Sequence, residues 1–325
     1  MNRKAVRIVA TLVVTALGTW YVLSRVDISE TGALLGDADP AWLALAMTFT
    51  IGTVPFMAWR WQRLLRARGI EERFPWLLRA YFVSYSAGQV LPTAVGGDAL
   101  RIFETSRRHP GRAGPVAGII LLERALGGAA TLALAAVGFA LAVGRYDVGA
   151  YLWIEGVFVA ATVVLAVALF SRSARPLLAR TQPLLRFLRV ERPIRAVYEG
   201  IHGFRDHAAL LFGVFALTLV LQAIRILGIW STGKAVGIDL SPRVYYVMGP
   251  LLFLVMLVPF TINGLAVREA FFVNFLSGVG ATPDQGLATG LLFFLITVAM
   301  ALPGFVIVAI ESVRGHAPRL RAEER

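Results

Sequence analysis

Seven ionisable side chains and one amide stand inside otherwise apolar runs of this 325-residue chain: Asp98, Arg101, Glu123, Arg124, Arg225, Arg268 and Glu269, with Gln222. An ionised group near the centre of a bilayer costs about 2.5 to 3.5 kcal/mol on insertion scales, so these groups are expected to face inward and toward one another. Four arginines against three carboxylates leave such an interior positive. A guanidinium presents a rigid fork that matches phosphate oxygens, so a phosphate group is the natural missing counter-charge. Arg101, Arg124, Arg225 and Arg268 are therefore the candidate phosphate ligands, and Asp98, Glu123, Glu269 and Gln222 the groups that balance charge in the same cavity.

The spacing restricts who can pair with whom. Glu123 and Arg124 are neighbours and point about 100° apart around a helix, so each needs a partner elsewhere. Candidate partners are Arg101 for Glu123 and Asp98 for Arg124. Gln222 and Arg225 lie three apart and share one helical face. The competing reading for the carboxylates is a set of structural salt bridges that fix helix register.

Two of the arginines sit in segments that match without a gap, QVLPTAVGGDALR over 89–101 and LVPFTINGLAVRE over 257–269. Pro92 meets Pro259, Gly97 meets Gly264 and Arg101 meets Arg268. Proline and glycine interrupt helices, so each segment reads as a hairpin broken near Pro92 or Pro259. Gly96 and Gly97, and Gly264 in the second segment, permit positive φ and expose N–H groups at the start of the arginine-bearing helix, an arrangement that suits anions.

The elements that must position these groups follow from composition. The chain is 57% apolar and 16% charged, which defines an all-α polytopic membrane protein in a single membrane domain, 1–325. Full spans are expected near 5–23, 41–59, 115–143, 151–170, 208–233 and 285–310, six in all, and the two interrupted segments over 75–102 and 244–277 are expected to be re-entrant. Arg3, Lys4 and Arg7 precede the first apolar run, which lacks a small-residue cleavage site and reads as an uncleaved span.

With the N-terminus cytoplasmic, 25 of the 32 basic residues fall inside, including the basic cytoplasmic loop 171–207 and the tail, so both termini are expected on the cytoplasmic side of the plasma membrane. The halves 41–143 and 208–311 then run in opposite senses, an inverted repeat with two hairpins meeting tip to tip. Loop charges account for the net charge of +12, so nucleic acid is not needed as a partner. Arg60, Arg63, Arg66 and Arg68 are expected to meet inner-leaflet headgroups, and Trp42, Trp59, Trp61, Trp76, Tyr81 and Tyr85 to form interfacial belts.

Several chemistries have no support. Cysteine is absent, the histidines His109, His202, His207 and His316 lack metal-like spacing, and no nucleotide loop or hydrolytic triad is present. No catalytic residue, metal or cofactor is expected.

The succession WRWQRLLRARG, GQVLPTAVGGDALR, LLERALGG and VPFTINGLAVREAFF resembles the lysylphosphatidylglycerol synthase transmembrane domain family, whose members are also described as flippase-like membrane proteins. The resemblance covers nearly the whole chain, with Gln89 where many relatives have asparagine and Asn263 where glycine is usual. It implies a membrane domain without the soluble aminoacyltransferase domain of the best-known members. It further implies a central cavity formed by Gly97, Asp98, Arg101, Glu123, Arg124, Gly264, Arg268 and Glu269. The expected function is translocation of an anionic phospholipid or polyprenyl phosphate, without enzymatic activity. The alternatives are a membrane enzyme acting on a lipid-linked phosphate, with Glu123 or Asp98 as base, and a lipid-binding partner subunit of a separate lipid-modifying synthase.

Overall fold

The computed structural model describes residues 16–17, 19–90, 96–142, 156, 160, 203–204, 206–256, 264 and 266–313. The expected spans 5–23 and 151–170, the loop 171–207 and the hairpin breaks Pro92 and Pro259 lie wholly or largely outside these residues. Among the described residues the secondary structure is helical, with no strand. That is the outcome lipid imposes on long apolar runs, because a helix satisfies its own backbone.

Among the described residues four helical stretches are long and apolar enough to cross a bilayer: Pro40–Arg66, Ala113–Gly138, Ala208–Ala235 and Pro283–Val313. The first is two helices in line, α2 (Pro40–Ile51) and α3 (Thr53–Arg66), joined at Gly52. The others are α6 (Ala113–Ala142), α7 (Ala208–Ala235) and α10 (Pro283–Val313). The starts are encoded locally. Asp39 caps α2, accepting from the Ala41 N–H at 2.7 Å with Pro40 in the first turn. Asp27 caps the short helix α1 (Ile28–Gly36), and the hydroxyl and N–H of Ser29 hold its carboxyl below the usual carboxylate range.

Both interrupted segments form helix pairs. The first comprises α4 (Phe74–Val90) and α5 (Gly96–Arg108), and the second α8 (Pro242–Met256) and α9 (Val267–Gly278). Over the described residues these helices run to 17, 13, 15 and 12 residues. In the first pair the chain comes back to the end it left. Arg79 near the start of α4 binds Glu104 near the end of α5 at 2.8 Å, and Arg108 binds Glu72 at 2.5 Å. In the second, Val244 and Tyr245 at the start of α8 share one apolar cluster with Phe275 and Leu276 at the end of α9.

The two pairs open at opposite ends of the frame. The base of the first lies with the α3 C-terminus and the chain entering α7, where the Arg68 guanidinium stacks 5.7 Å from the Phe204 ring. The base of the second lies with the α7 C-terminus. There the Asp39 N–H donates to the Ala235 carbonyl at 2.9 Å, and Gln285 donates to the Val236 carbonyl at 3.4 Å. Two apolar clusters follow this division. Trp61, Leu64, Leu77, Ile119 and Phe204 pack around the first hairpin, and Tyr245, Met248, Phe272, Phe275 and Leu276 around the second.

Helix α10 braces the first hairpin along its length. Arg79 binds Glu311 at 2.6 Å, Gln89 donates to the Thr297 carbonyl at 3.2 Å, and between them a Cβ at Gly304 would fall 2.0 Å from the Phe82 carbonyl oxygen. Close backbone approach at small residues is how helices associate where lipid removes the hydrophobic drive.

The chain contains no cysteine, so thiols introduced singly at Arg107 and Pro283 are unique. An impermeant maleimide added to sealed, oriented vesicles is expected to label one of the two, and the other only after permeabilisation. Labelling of both from the same side contradicts the opposed hairpins.

Candidate functional site

Between the two apolar clusters lies a cavity of about 490 Å³ lined by residues of both hairpins and of α2, α3, α6, α7 and α10. Its polar wall is built around Glu123, which α6 carries about three turns from its start. Three donor side chains converge on this buried carboxylate. Arg60 of α3 donates through Nε and Nη2 at 3.2 and 3.1 Å, Tyr81 of α4 through its hydroxyl at 3.1 Å, and Arg101 of α5 through Nη1 at 3.0 Å.

A second link extends the network. Arg101 also binds Asp98, one turn earlier, at 2.7 Å, and the other oxygen of Asp98 accepts from Arg124 Nε. The Arg101 guanidinium lies 4.4 Å from the Tyr81 ring centre and 4.8 Å from that of Trp61. Such contacts add about 0.5 to 2 kcal/mol each, toward the upper figure when desolvated as here. Arg60 completes its bonding by donating to Thr218 Oγ1 of α7 at 2.8 Å, so one carboxylate fixes the register of five helices.

On the opposite hairpin Arg268, fully buried, donates to Glu269 through Nε at 2.9 Å and through Nη2, and stacks 4.7 Å from the Phe294 ring. The second oxygen of Glu269 accepts from the Ala266 N–H at 2.7 Å, which caps the start of α9. Ala266 itself has φ of 67°, an uncommon conformation for a residue with a Cβ. The tight entry into α9 is shared with Gly264 at φ 74°.

The Arg101–Glu123 and Arg124–Asp98 pairs weighed from the sequence are both formed. Arg101, Arg124, Arg225, Arg268, Asp98, Glu123, Gln222 and Gly97 line the cavity, whereas Gly96, Gly264 and Glu269 stand behind its lining. Gln222 donates to Thr131 Oγ1 at 3.2 Å. Arg225, one turn further along α7, lines the cavity and makes no hydrogen bond or ion pair with any described residue.

Three expectations are corrected. Gly96 and Gly97 do not use positive φ, and Gly97 is needed instead for close approach, since a Cβ there would fall 2.4 Å from the Ser84 carbonyl oxygen. Arg60 does not meet headgroups but is buried on Glu123. Tyr81 and Trp61 are not belt residues but are buried within the network, leaving Trp59 as an exposed ring. The sequence did hold a signal for Arg60, which repeats with Met57 and Leu64 at helical spacing on the buried side of α3.

Helical spans, opposed helix pairs and an internal cavity rich in arginine define a multi-pass membrane protein. The chain belongs to the family described as the lysylphosphatidylglycerol synthase transmembrane region, which it matches over residues 8–304. A stretch of 106 residues is also 35% identical to the glycosyltransferase AglD of Haloferax volcanii. That match takes in 33% of this chain and spans only 17% of the relative's length.

Loss of Glu123 removes the only carboxylate of buried Arg60 among the described residues and leaves buried Arg101 with Asp98 alone, whereas loss of Arg225 breaks no hydrogen bond or ion pair with a described residue. Glu123→Ala is therefore expected to lower the stability of the protein in detergent by about 3 to 5 kcal/mol, and Arg225→Gln by no more than about 0.5 kcal/mol. Denaturant or thermal unfolding of the two variants side by side checks this; equal losses contradict the assignment of Glu123 as the hub.

Proposed function

We propose that the protein is a lipid translocator that admits the phosphate of an anionic lipid into the cavity between two re-entrant hairpins. The halves 41–143 and 208–311 form an inverted repeat, and rocking of one against the other exposes the cavity to each leaflet in turn. The acyl or prenyl chains stay in the bilayer. The membrane is the cytoplasmic membrane, with both termini on the cytoplasmic side.

The observation that carries this reading is the charge of the cavity. Five arginines, Arg60, Arg101, Arg124, Arg225 and Arg268, line the cavity against Asp98 and Glu123, with Glu269 behind Arg268; the balance is two positive charges, and of the five Arg225 stands without a partner among the described residues. A cation left over in a cavity at membrane depth is expensive without a counter-charge. A lipid phosphate supplies that counter-charge and arrives from the surrounding solvent of the protein, the bilayer.

The similarity to a glycosyltransferase favours a second reading, an enzyme acting on a lipid-linked phosphate. The geometry around its two candidate bases supports transport instead. Glu123 accepts from Arg60, Tyr81 and Arg101, and Asp98 from Arg101 and Arg124, so both serve as acceptors for fixed donors rather than for a substrate proton.

Purified protein in vesicles carrying fluorescent phosphatidylglycerol or a polyprenyl phosphate separates the readings. Leaflet exchange with unchanged lipid chemistry is expected. Arg225→Gln, losing a charge-assisted bond of about 1.5 to 3 kcal/mol, should slow exchange by roughly tenfold to a hundredfold. Undiminished exchange in that variant overturns the phosphate site, and a new lipid product without exchange establishes the enzyme.

A further inference from the structure

We infer that the cavity rejects lipids whose headgroup carries an ammonium, and that Arg225 sets this preference. The inference rests on the proposed occupation of the cavity by a lipid phosphate, and it concerns what else the headgroup can carry. An aminoacylated or other amine-bearing headgroup needs an anion to receive its positive charge once water is left behind. Among the described residues the cavity offers none that is unoccupied.

Each carboxylate of the site already has its cations. Glu123 is held by Arg60 and Arg101, Asp98 by Arg101 and Arg124, and Glu269 by Arg268 and the Ala266 N–H. Asp98 and Glu123 are the acidic residues among the described lining; diverting Glu123 to an amine would leave buried Arg60 with the Thr218 hydroxyl alone, and diverting Asp98 would leave buried Arg101 to share Glu123 with Arg60. The segments 91–95 and 257–263, which join the helices of each hairpin, contain no ionisable residue. An ammonium would therefore enter beside Arg225 as a like charge, an arrangement that penalises the wrong ligand.

A neutral hydroxylated headgroup meets a different surface. Thr50, Ser84, Thr131 and Gln222 line the same cavity. Gln222 spends its amide N–H on Thr131, which leaves its carbonyl oxygen to accept from a hydroxyl one helical turn from the Arg225 guanidinium. A phosphate on Arg225 with a glycerol or sugar hydroxyl on Gln222 satisfies both residues. The preference runs opposite to the lysylated lipid in the family's description.

Two measurements on the full chain test this. Short-chain phosphatidylglycerol and its lysyl ester are titrated against detergent-purified protein, with binding followed by native mass spectrometry, and the same two lipids are compared for leaflet exchange in vesicles. The wild type is expected to favour phosphatidylglycerol over the lysyl ester by roughly tenfold or more. Arg225→Gln should level the two, and Arg225→Glu should reverse the order. Tighter or equal binding of the lysyl ester by the wild type, binding of neither lipid, or an unchanged preference in Arg225→Gln overturns the inference. Ranked binding without exchange of any lipid sinks the transport reading and leaves the preference standing, while equal exchange of both lipids does the reverse.

Discussion

A single buried carboxylate organises the polar interior. Glu123 must be compensated at membrane depth, and its oxygens are compensated by Arg60, Tyr81 and Arg101 from three other helices, with Thr218 of a fifth drawn in through Arg60. Each of these donors would be a liability alone. Arg101 in turn requires Asp98, and Asp98 recruits Arg124. The chain of pairings fixes α3, α4, α5 and α6 in mutual register and consumes the negative charge it contains. Three arginines on two carboxylates leave the network itself positive by one, and Arg225 on α7, without a partner among the described residues, adds a second charge that sets the chemical character of the cavity.

The two hairpins solve the same problem with different residues. On α9 the acid follows the arginine directly, and Glu269 both neutralises Arg268 and caps the helix that carries it. On α5 the arginine reaches its acid across to α6. The second site is thus self-contained, whereas the first depends on the packing of neighbouring helices. Bracing by α10, through Glu311, Gly304 and Thr297, holds the first hairpin against that dependence.

Much of this was legible in the sequence because lipid leaves few choices. Apolar runs gave the helices. The matched proline, glycine and arginine segments gave the two helix pairs. The Arg101–Glu123 and Asp98–Arg124 pairs followed from the need of each charge for an opposite one. Arg60 and Tyr81 were misplaced because an arginine or tyrosine near a helix end has two low-energy homes, the interface and a buried partner, and only the packing of α3 and α4 against α6 chooses between them. Gly97 was misread for a related reason. Local sequence permits a glycine to be there for its φ or for its missing Cβ, and it is the Ser84 carbonyl on the facing helix that decides.

The central claim is that a lipid phosphate enters this cavity to meet Arg225, the cation left without a partner among the described residues. Cryo-electron microscopy of the protein in phosphatidylglycerol nanodiscs addresses it most directly. The account predicts headgroup density inside the cavity with its phosphate in hydrogen-bond contact with the Arg225 guanidinium. A cavity filled only by water or acyl chains, with Arg225 paired to a protein carboxylate and phosphate density confined to the membrane surfaces, would contradict it.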